Sequence, residues 1–143
     1  MIIFEMAVAF IASLMLAVSF DVSRKELIFC GLGGLTAEGA YQAAAHNGMG
    51  EVLAVLIAAA AVTVLARVMA NLRRMPVTTY LIVGIIPLVP GAGMYNTVFN
   101  LIASDYETAI LTGFDTVKAA SAAAVGIIII FALPNRIFLK RKR

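Results

Sequence analysis

The sequence predicts an all-α integral membrane protein with five transmembrane helices, and three observations lead to that prediction. Of the 143 residues, 62% are apolar and 13% are charged, whereas soluble domains have roughly 45–50% apolar and about 25% charged residues. The apolar residues form five long stretches, and the connections between the stretches are short. A segment in hydrocarbon must satisfy its backbone hydrogen bonds internally, so continuous stretches of this length favour helices over strands.

The five stretches are each long enough to cross a bilayer. A hydrocarbon core about 30 Å thick requires roughly 20 helical residues, and the predicted helices cover residues 1–20, 27–45, 51–70, 77–101 and 109–133. The first stretch carries Glu5 and has no basic residue ahead of its apolar part, which is unlike a secretory signal. We therefore expect a permanent first helix and a single transmembrane domain over residues 1–143.

Basic residues are concentrated in one class of connection. Nine of the eleven lysines and arginines lie in the first and third connections and in the tail, namely Arg24, Lys25, Arg73, Arg74, Arg136, Lys140, Arg141, Lys142 and Arg143. We expect the chain to lie in a plasma or inner membrane. By the positive-inside rule, its N-terminus lies outside and its C-terminus in the cytoplasm. Arg67, close to the cytoplasmic end of the third helix, is expected to extend its side chain to the lipid headgroups.

The fourth stretch contains a cluster of helix breakers, namely Pro87, Pro90, Gly91 and Gly93. Each proline lacks an N–H and clashes with the carbonyl four residues earlier, which frees the C=O groups of Val83 and Ile86. Because lipid offers these groups no partner, an interruption at Pro87 and Pro90 must face protein or a water-filled cavity. A second half-helix beginning near Gly91 would direct free N–H groups toward an anion such as a carboxylate.

Small and polar residues follow the interruption on one helical face, namely Gly93, Asn96, Thr97 and Asn100. We interpret this face as directed inward, either toward a substrate path or toward a neighbouring helix. Amides and small residues pack well between membrane helices, so packing is the simpler interpretation for each polar residue taken singly. For the Pro-x-x-Pro-Gly segment as a unit, we favour a functional interpretation.

Two charged residues lie deep within predicted helices. Glu38 is roughly 10 Å from the outer end of the second helix, and Lys118 lies at a comparable depth in the fifth. Charged groups at that depth are costly unless they are paired or hydrated, so both are functional candidates. Glu38 would bind a proton or a substrate ammonium group, and Lys118 a carboxylate. Alternatively, the two pair with each other, or Lys118 pairs with Asp115 one turn earlier.

Several classes of site lack the residues that they require. One cysteine and one histidine are too few for an internal disulfide or a zinc cluster. No histidine lies within a predicted span to activate a serine, and the chain has no Gly-x-Ser-x-Gly motif. We therefore expect no enzymatic activity, no metal and no other cofactor. The basic residues lie at helix ends, which argues against a nucleic-acid partner.

One motif carries a family resemblance. It consists of residues 76–80 (Pro-Val-Thr-Thr-Tyr), residues 86–91 (Ile-Pro-Leu-Val-Pro-Gly) and Tyr95. The motif resembles the small, five-helix subunit of split threonine/serine exporters, a group that includes the YjjB subunit of the YjjP/YjjB succinate exporter. The resemblance covers nearly the whole chain. It carries over Pro87, Pro90, Gly91 and Tyr95 as motif positions, without assigning them a substrate role.

The resemblance implies a partner and an activity. The partner is a larger, separately encoded, YjjP-like subunit, and the activity is proton-driven export of threonine, serine or a dicarboxylate such as succinate. Five helices are few for an alternating-access carrier, so a partner or a homo-oligomer within the lipid bilayer is expected. The alternative function is a non-transporting membrane scaffold, in which the interruption is only a packing kink.

Overall fold

The computed structural model describes residues 2–134, and every regular element in that range is helical, which confirms the predicted all-α class. The elements are α1 (Ile2–Ser19), α2 (Leu27–His46), α3 (Glu51–Arg73), α4 (Val77–Ile85), a 3₁₀ turn (Ile86–Leu88), α5 (Gly91–Ile102) and α6 (Tyr106–Ala132). The basic tail from Arg136 onward lies outside the described residues.

Helix ends differ from the predicted stretches where polar residues extend a helix. Helix α6 begins at Tyr106, ahead of residue 109, because the Asp105 carboxylate accepts a hydrogen bond from the Thr108 N–H at 3.2 Å and caps the first turn. Helix α3 continues to Arg73 and ends where Arg74 adopts a left-handed conformation with φ of 57°. Hydropathy marks the apolar part of a helix, whereas the caps decide where the helix ends.

Three helices, α1, α3 and α6, are long and apolar enough to cross a membrane. A fourth crossing is counted if α4 and α5, which meet at 50° across a short break, form one bent span. The remaining predicted span is α2, which has 20 residues. Its glycines and its polar residues Glu38 and Gln42 lower its mean hydropathy, so the count of five spans stays a prediction.

Helix α2 lies at the centre of the bundle, where it contacts α1, α3 and α4. A Cβ at Gly34 in α2 would lie 2.5 Å from the carbonyl oxygen of Ala9 in α1. Helix α6 packs on α3 in a similar way, since a Cβ at Gly126 would lie 2.6 Å from the carbonyl oxygen of Leu56. Such small-residue contacts allow the backbones of membrane helices to approach closely.

An ion pair between the exposed Arg73 and the buried Glu26 links α3 to the start of α2 at one end of the bundle, and Tyr80 of α4 joins it. Arg73 donates three hydrogen bonds of 2.8–3.2 Å to the Glu26 carboxylate, and the Tyr80 hydroxyl donates one of 2.6 Å. The Arg73 guanidinium also lies 4.6 Å from the centre of the Phe29 ring. The hydrogen bonds from Arg73 and Tyr80 hold the pKa of Glu26 below its usual value. This cluster lies at the end that the charge pattern predicts to be cytoplasmic.

The side chain of Arg67 is buried, which corrects the expectation that it extends to the lipid headgroups. Only 4% of the residue is exposed. Its guanidinium donates hydrogen bonds to the carbonyls of Ile130 and Leu133 and lies 5.7 Å from the centre of the Phe131 ring. A cation at the C-terminal end of a helix satisfies carbonyls that have no intrahelical partner and interacts favourably with the helix dipole. Arg67 therefore ties α3 to the end of α6.

Candidate functional site

A crevice opens beside the segment that joins α4 to α5, and we call it crevice A. It has a volume of about 160 Å³ and is lined by Glu38, Tyr41, Glu51, Val55, Pro87, Leu88, Val89, Pro90 and Ala119. Its walls therefore come from α2, α3, α6 and the connecting segment. Three predicted site residues, Glu38, Pro87 and Pro90, meet here although they come from different parts of the chain.

A second crevice, crevice B, opens on the α1 side of the same segment. Its volume is about 350 Å³, and it is lined by Glu5, Val8, Ala9, Ala12, Leu16, Glu38, Ile86 and Pro87. Glu38 and Pro87 line both crevices. One carboxylate and one proline thus form the shared wall between two openings in the bundle.

An amide links the carboxylates of this wall. The Gln42 side-chain nitrogen donates to a Glu5 oxygen at 2.6 Å and to a Glu38 oxygen at 2.7 Å. Glu51 adds a further carboxylate to crevice A. No lysine or arginine lines crevice A or crevice B in the part of the chain that is described. The electrostatic field of the two crevices therefore favours a cationic group.

The two carbonyls that lose an intrahelical N–H donor because of the prolines accept hydrogen bonds from other donors. The Val83 carbonyl accepts a hydrogen bond of 3.2 Å from the Ser13 hydroxyl, which is fully buried. The Ile86 carbonyl accepts from the Val89 N–H at 3.0 Å and closes the 3₁₀ turn. Pro90 stands at the start of α5, and no side chain caps the first turn of this helix. The Gly91 N–H donates to the Val89 carbonyl at 2.7 Å and the Met94 N–H to the Pro90 carbonyl at 3.1 Å, so the N–H groups of Ala92 and Gly93 are those that the first turn of α5 leaves available.

The small and polar face of α5 is divided between packing and exposure. A Cβ at Gly93 would overlap the Thr116 hydroxyl of α6, and the Thr97 hydroxyl lies 3.3 Å from that of Thr112. These contacts correspond to the packing interpretation. The remaining predicted residues of this region line neither crevice: Gly91, Tyr95 and Asn96 are exposed, and Asn100 is half-buried.

Lys118 forms an ion pair with Asp115 at 2.5 Å, one turn away on α6. The pairing of Lys118 with Glu38 that the sequence also allows is absent from residues 2–134. Lys118 lines neither crevice, although the next residue, Ala119, lines crevice A. Of the two pairings, the local one is formed because a spacing of three residues on a helix guarantees proximity.

Sequence analysis did not identify the contacts that Gln42 and Glu5 make beside Glu38, or the contact of Ser13 with the end of α4. Gln42 lies four residues after Glu38, a spacing that could have identified it as a neighbour on the same helical face. Glu5 comes from a different helix and Ser13 bonds to a backbone carbonyl on another. Neither contact has a signal in the local sequence.

Comparisons with known proteins give one match. No curated protein and no solved structure matches the chain. The family described as threonine/serine exporter, ThrE, matches over residues 5–133. This match includes every helix of the fold, both crevices and the segment between α4 and α5. The chain belongs to the threonine/serine exporter family.

Proposed function

We propose that the chain is the small membrane subunit of a two-component secondary exporter for small amino acids, with threonine and serine as the preferred cargo and a dicarboxylate such as succinate as the alternative. In this proposal the larger subunit is a separate, YjjP-like chain. The five crossings are α1, α2, α3, the bent pair of α4 and α5, and α6, in a plasma or inner membrane. The N-terminus lies outside and the C-terminus in the cytoplasm, as the distribution of basic residues suggests. Membership of the exporter family supports the transport activity.

The observation that carries the proposal is the position of Glu38 between two crevices. A carrier must expose one site alternately to the two sides of the membrane. Glu38 lines both crevices, so movements of the surrounding helices that widen one crevice and narrow the other would change what this carboxylate is exposed to. An isolated carboxylate deep in a membrane costs about 2.5–3.5 kcal/mol when ionised, so protonation of Glu38 can be coupled to its exposure. This coupling suits export driven by a proton gradient.

The charges around crevice A favour an amino acid over a dicarboxylate. Glu38 and Glu51 would attract an ammonium group, whereas two negative charges on succinate would be repelled. The N–H groups of Ala92 and Gly93, in the first turn of α5 after Pro90, offer a position for the amino-acid carboxylate. Crevice A and the first turn of α5 together can therefore complement the two ends of a zwitterion.

The test is counterflow in proteoliposomes that contain both subunits. Labelled threonine or serine is expected to exchange against the same unlabelled amino acid, with little exchange of succinate. Either subunit alone is expected to exchange poorly. Exchange of succinate alone would contradict the amino-acid assignment, and full activity of the present chain without a partner would contradict the two-component arrangement.

A scaffold without transport activity is the second candidate. The close packing of Gly93 against Thr116, and the Ser13 hydrogen bond to Val83, favour it, because both show the segment between α4 and α5 stabilised by its neighbours. A scaffold needs the segment only for its shape. The two candidates therefore differ in what happens when the prolines are removed.

A further inference from the structure

The side chain of Gln42 joins two carboxyl groups that belong to different helices. Its amide nitrogen donates to Glu38, four residues earlier on α2, and to Glu5 on α1. An amide nitrogen carries two hydrogens, so each carboxyl group takes one of them. Within residues 2–134, no other side chain donates a hydrogen bond to Glu38. The position of the Glu38 carboxyl group therefore depends on Gln42.

The arrangement brings two acidic groups close together. Because both oxygens bond to one nitrogen, they cannot be farther apart than the sum of the two hydrogen-bond lengths. When both groups are ionised they repel each other, and no lysine or arginine in residues 2–134 forms an ion pair with Glu5 or Glu38. Local arrangements that cost stability are typical of functional sites.

The packing of α1 on α2 does not require this cost. The two helices already approach closely at their glycines. A Cβ at Gly34 would lie 2.5 Å from the carbonyl oxygen of Ala9, and one at Gly31 would lie 2.7 Å from the ring of Phe10. A hydrogen bond between an amide and one carboxylate would also join the helices. The second carboxyl group therefore calls for an explanation other than packing.

We propose that Gln42 is a positioning residue for transport at Glu38. This role rests on the proposed exporter function, in which Glu38 takes up a proton from water in a crevice. Gln42 donates a hydrogen bond to the ionised carboxylate. Once Glu38 carries a proton, the amide can turn, and its carbonyl oxygen can accept a hydrogen bond from the new O–H. An amide can therefore hold Glu38 in both protonation states, whereas an apolar side chain can hold it in neither.

The bond to Glu5 connects this role to α1. Glu5 lines crevice B but not crevice A, and Glu38 lines both. When the amide turns toward a protonated Glu38, its nitrogen turns away and the hydrogen bond to Glu5 breaks. Uptake of a proton by Glu38 thereby changes the contact between α2 and α1 beside crevice B.

Threonine export driven by a pH gradient, in proteoliposomes that contain both subunits, tests this role. Gln42→Met keeps the length of the side chain but removes the amide. Asn47→Leu is the matched control, because the Asn47 amide bonds to the Ala43 carbonyl at the exposed end of α2 and lines neither crevice. We expect Gln42→Met to lower the initial rate several-fold and Asn47→Leu to keep the native rate.

A double variant separates positioning of Glu38 from a general contribution to folding. If Gln42 acts through Glu38, Gln42→Met should cause little further loss in a Glu38→Gln background. A contribution to folding alone would lower the rate by the same factor in both backgrounds. Equal factors would overturn the proposal, and so would a native rate for the single variant Gln42→Met.

Melting temperatures in detergent show which variants are folded. Should Gln42→Met fail to fold, Gln42→Asn keeps an amide on a shorter side chain that cannot reach both carboxyl groups. We expect Gln42→Asn to fold and to export several-fold more slowly, and native export by this variant would overturn the role. No threonine export by the native pair of subunits would overturn the exporter function and this role together, whereas the results above overturn the role alone.

Discussion

The hydroxyl of Ser13 accounts for how the backbone tolerates Pro87. The proline has no N–H for the Val83 carbonyl, and Ser13 of α1 supplies the missing donor at 3.2 Å in a fully buried position. A buried carbonyl without a partner would carry a desolvation penalty of about 1–3 kcal/mol. At this position, α1 therefore stabilises the end of α4 as well as packing against α2.

The first prediction follows for Ser13→Ala. Removing the hydroxyl should lower the free energy of unfolding by about 1–3 kcal/mol, because the Val83 carbonyl loses its donor. Ser19→Ala is the matched control, since the Ser19 hydroxyl bonds only to the exposed carbonyl of Met15 on its own helix. Its effect should stay within about 0.5 kcal/mol. Equal denaturation midpoints for the two variants in detergent micelles would contradict this role of Ser13.

The second prediction concerns Glu26 and acid. Hydrogen bonds from Arg73, and secondly from Tyr80, lower the pKa of Glu26 below its usual value of 4.5. The cluster therefore contributes its full stability above about pH 4.5, and this contribution is lost as the pH falls through the lowered pKa of the folded state. Melting temperatures measured from about pH 6 to about pH 3.5 should fall for the native chain.

The matched comparison uses two amide substitutions. Glu26→Gln should melt at a lower temperature near neutral pH, and its further loss in acid should be smaller than that of the native chain. Glu107→Gln, at an exposed position in the first turn of α6, should follow the native profile. A Glu26→Gln profile parallel to the native one would show that this carboxylate does not account for the acid sensitivity.

At the scale of the elements, glycines determine how closely the helices approach. Gly34 allows α2 to contact the backbone of α1 at Ala9. The third prediction is that Gly34→Ala destabilises the bundle by about 1–3 kcal/mol, because the backbone must move to admit the new methyl group. Gly39→Ala on the same helix is the control, since its new Cβ would meet only the flexible end of Met6 at 3.1 Å. Thermal unfolding that ranks Gly39→Ala as the more damaging change would contradict this packing.

The segment between α4 and α5 separates the two candidate functions. The fourth prediction is that the double variant Pro87→Ala with Pro90→Ala still copurifies with the larger subunit but loses most of its amino-acid exchange. Without the prolines the helix becomes more continuous, which changes the shape of both crevices that Pro87 lines. A scaffold would keep its assembly and would have no transport to lose. Native exchange rates in the double variant would contradict a functional role for the prolines.

The sequence predicts elements better than the contacts between them. Hydropathy and the two prolines predicted the all-α class and the position of most helices, because both signals are local. The buried role of Arg67 and the Ser13 hydrogen bond could not be predicted, since each depends on which helices become neighbours. The pairing of Lys118 with Asp115 was predicted as one of two possible ion pairs. The spacing of three residues predicts that these two side chains are close, but it does not exclude the pairing with Glu38 on another helix.

At the scale of the whole molecule, α1, α3, α4 and the 3₁₀ turn pack against α2, whereas α6 packs on α3 and holds α5. Glu38 and Pro87 line both crevice A and crevice B, and the surrounding carboxylates give both crevices an acidic character. In the proposed exporter, the proton and the amino acid pass Glu38 and Pro87 as they cross the membrane. The larger subunit would complete the path around these residues.

The most direct test is export of labelled threonine, driven by a pH gradient, from proteoliposomes that contain both subunits. Glu38→Gln keeps the size of the side chain but cannot ionise, whereas Glu107→Gln removes a carboxylate that lines neither crevice. The account predicts that Glu38→Gln lowers the initial rate by about tenfold or more while Glu107→Gln keeps the native rate. Native gradient-driven export by a folded Glu38→Gln variant would contradict the account.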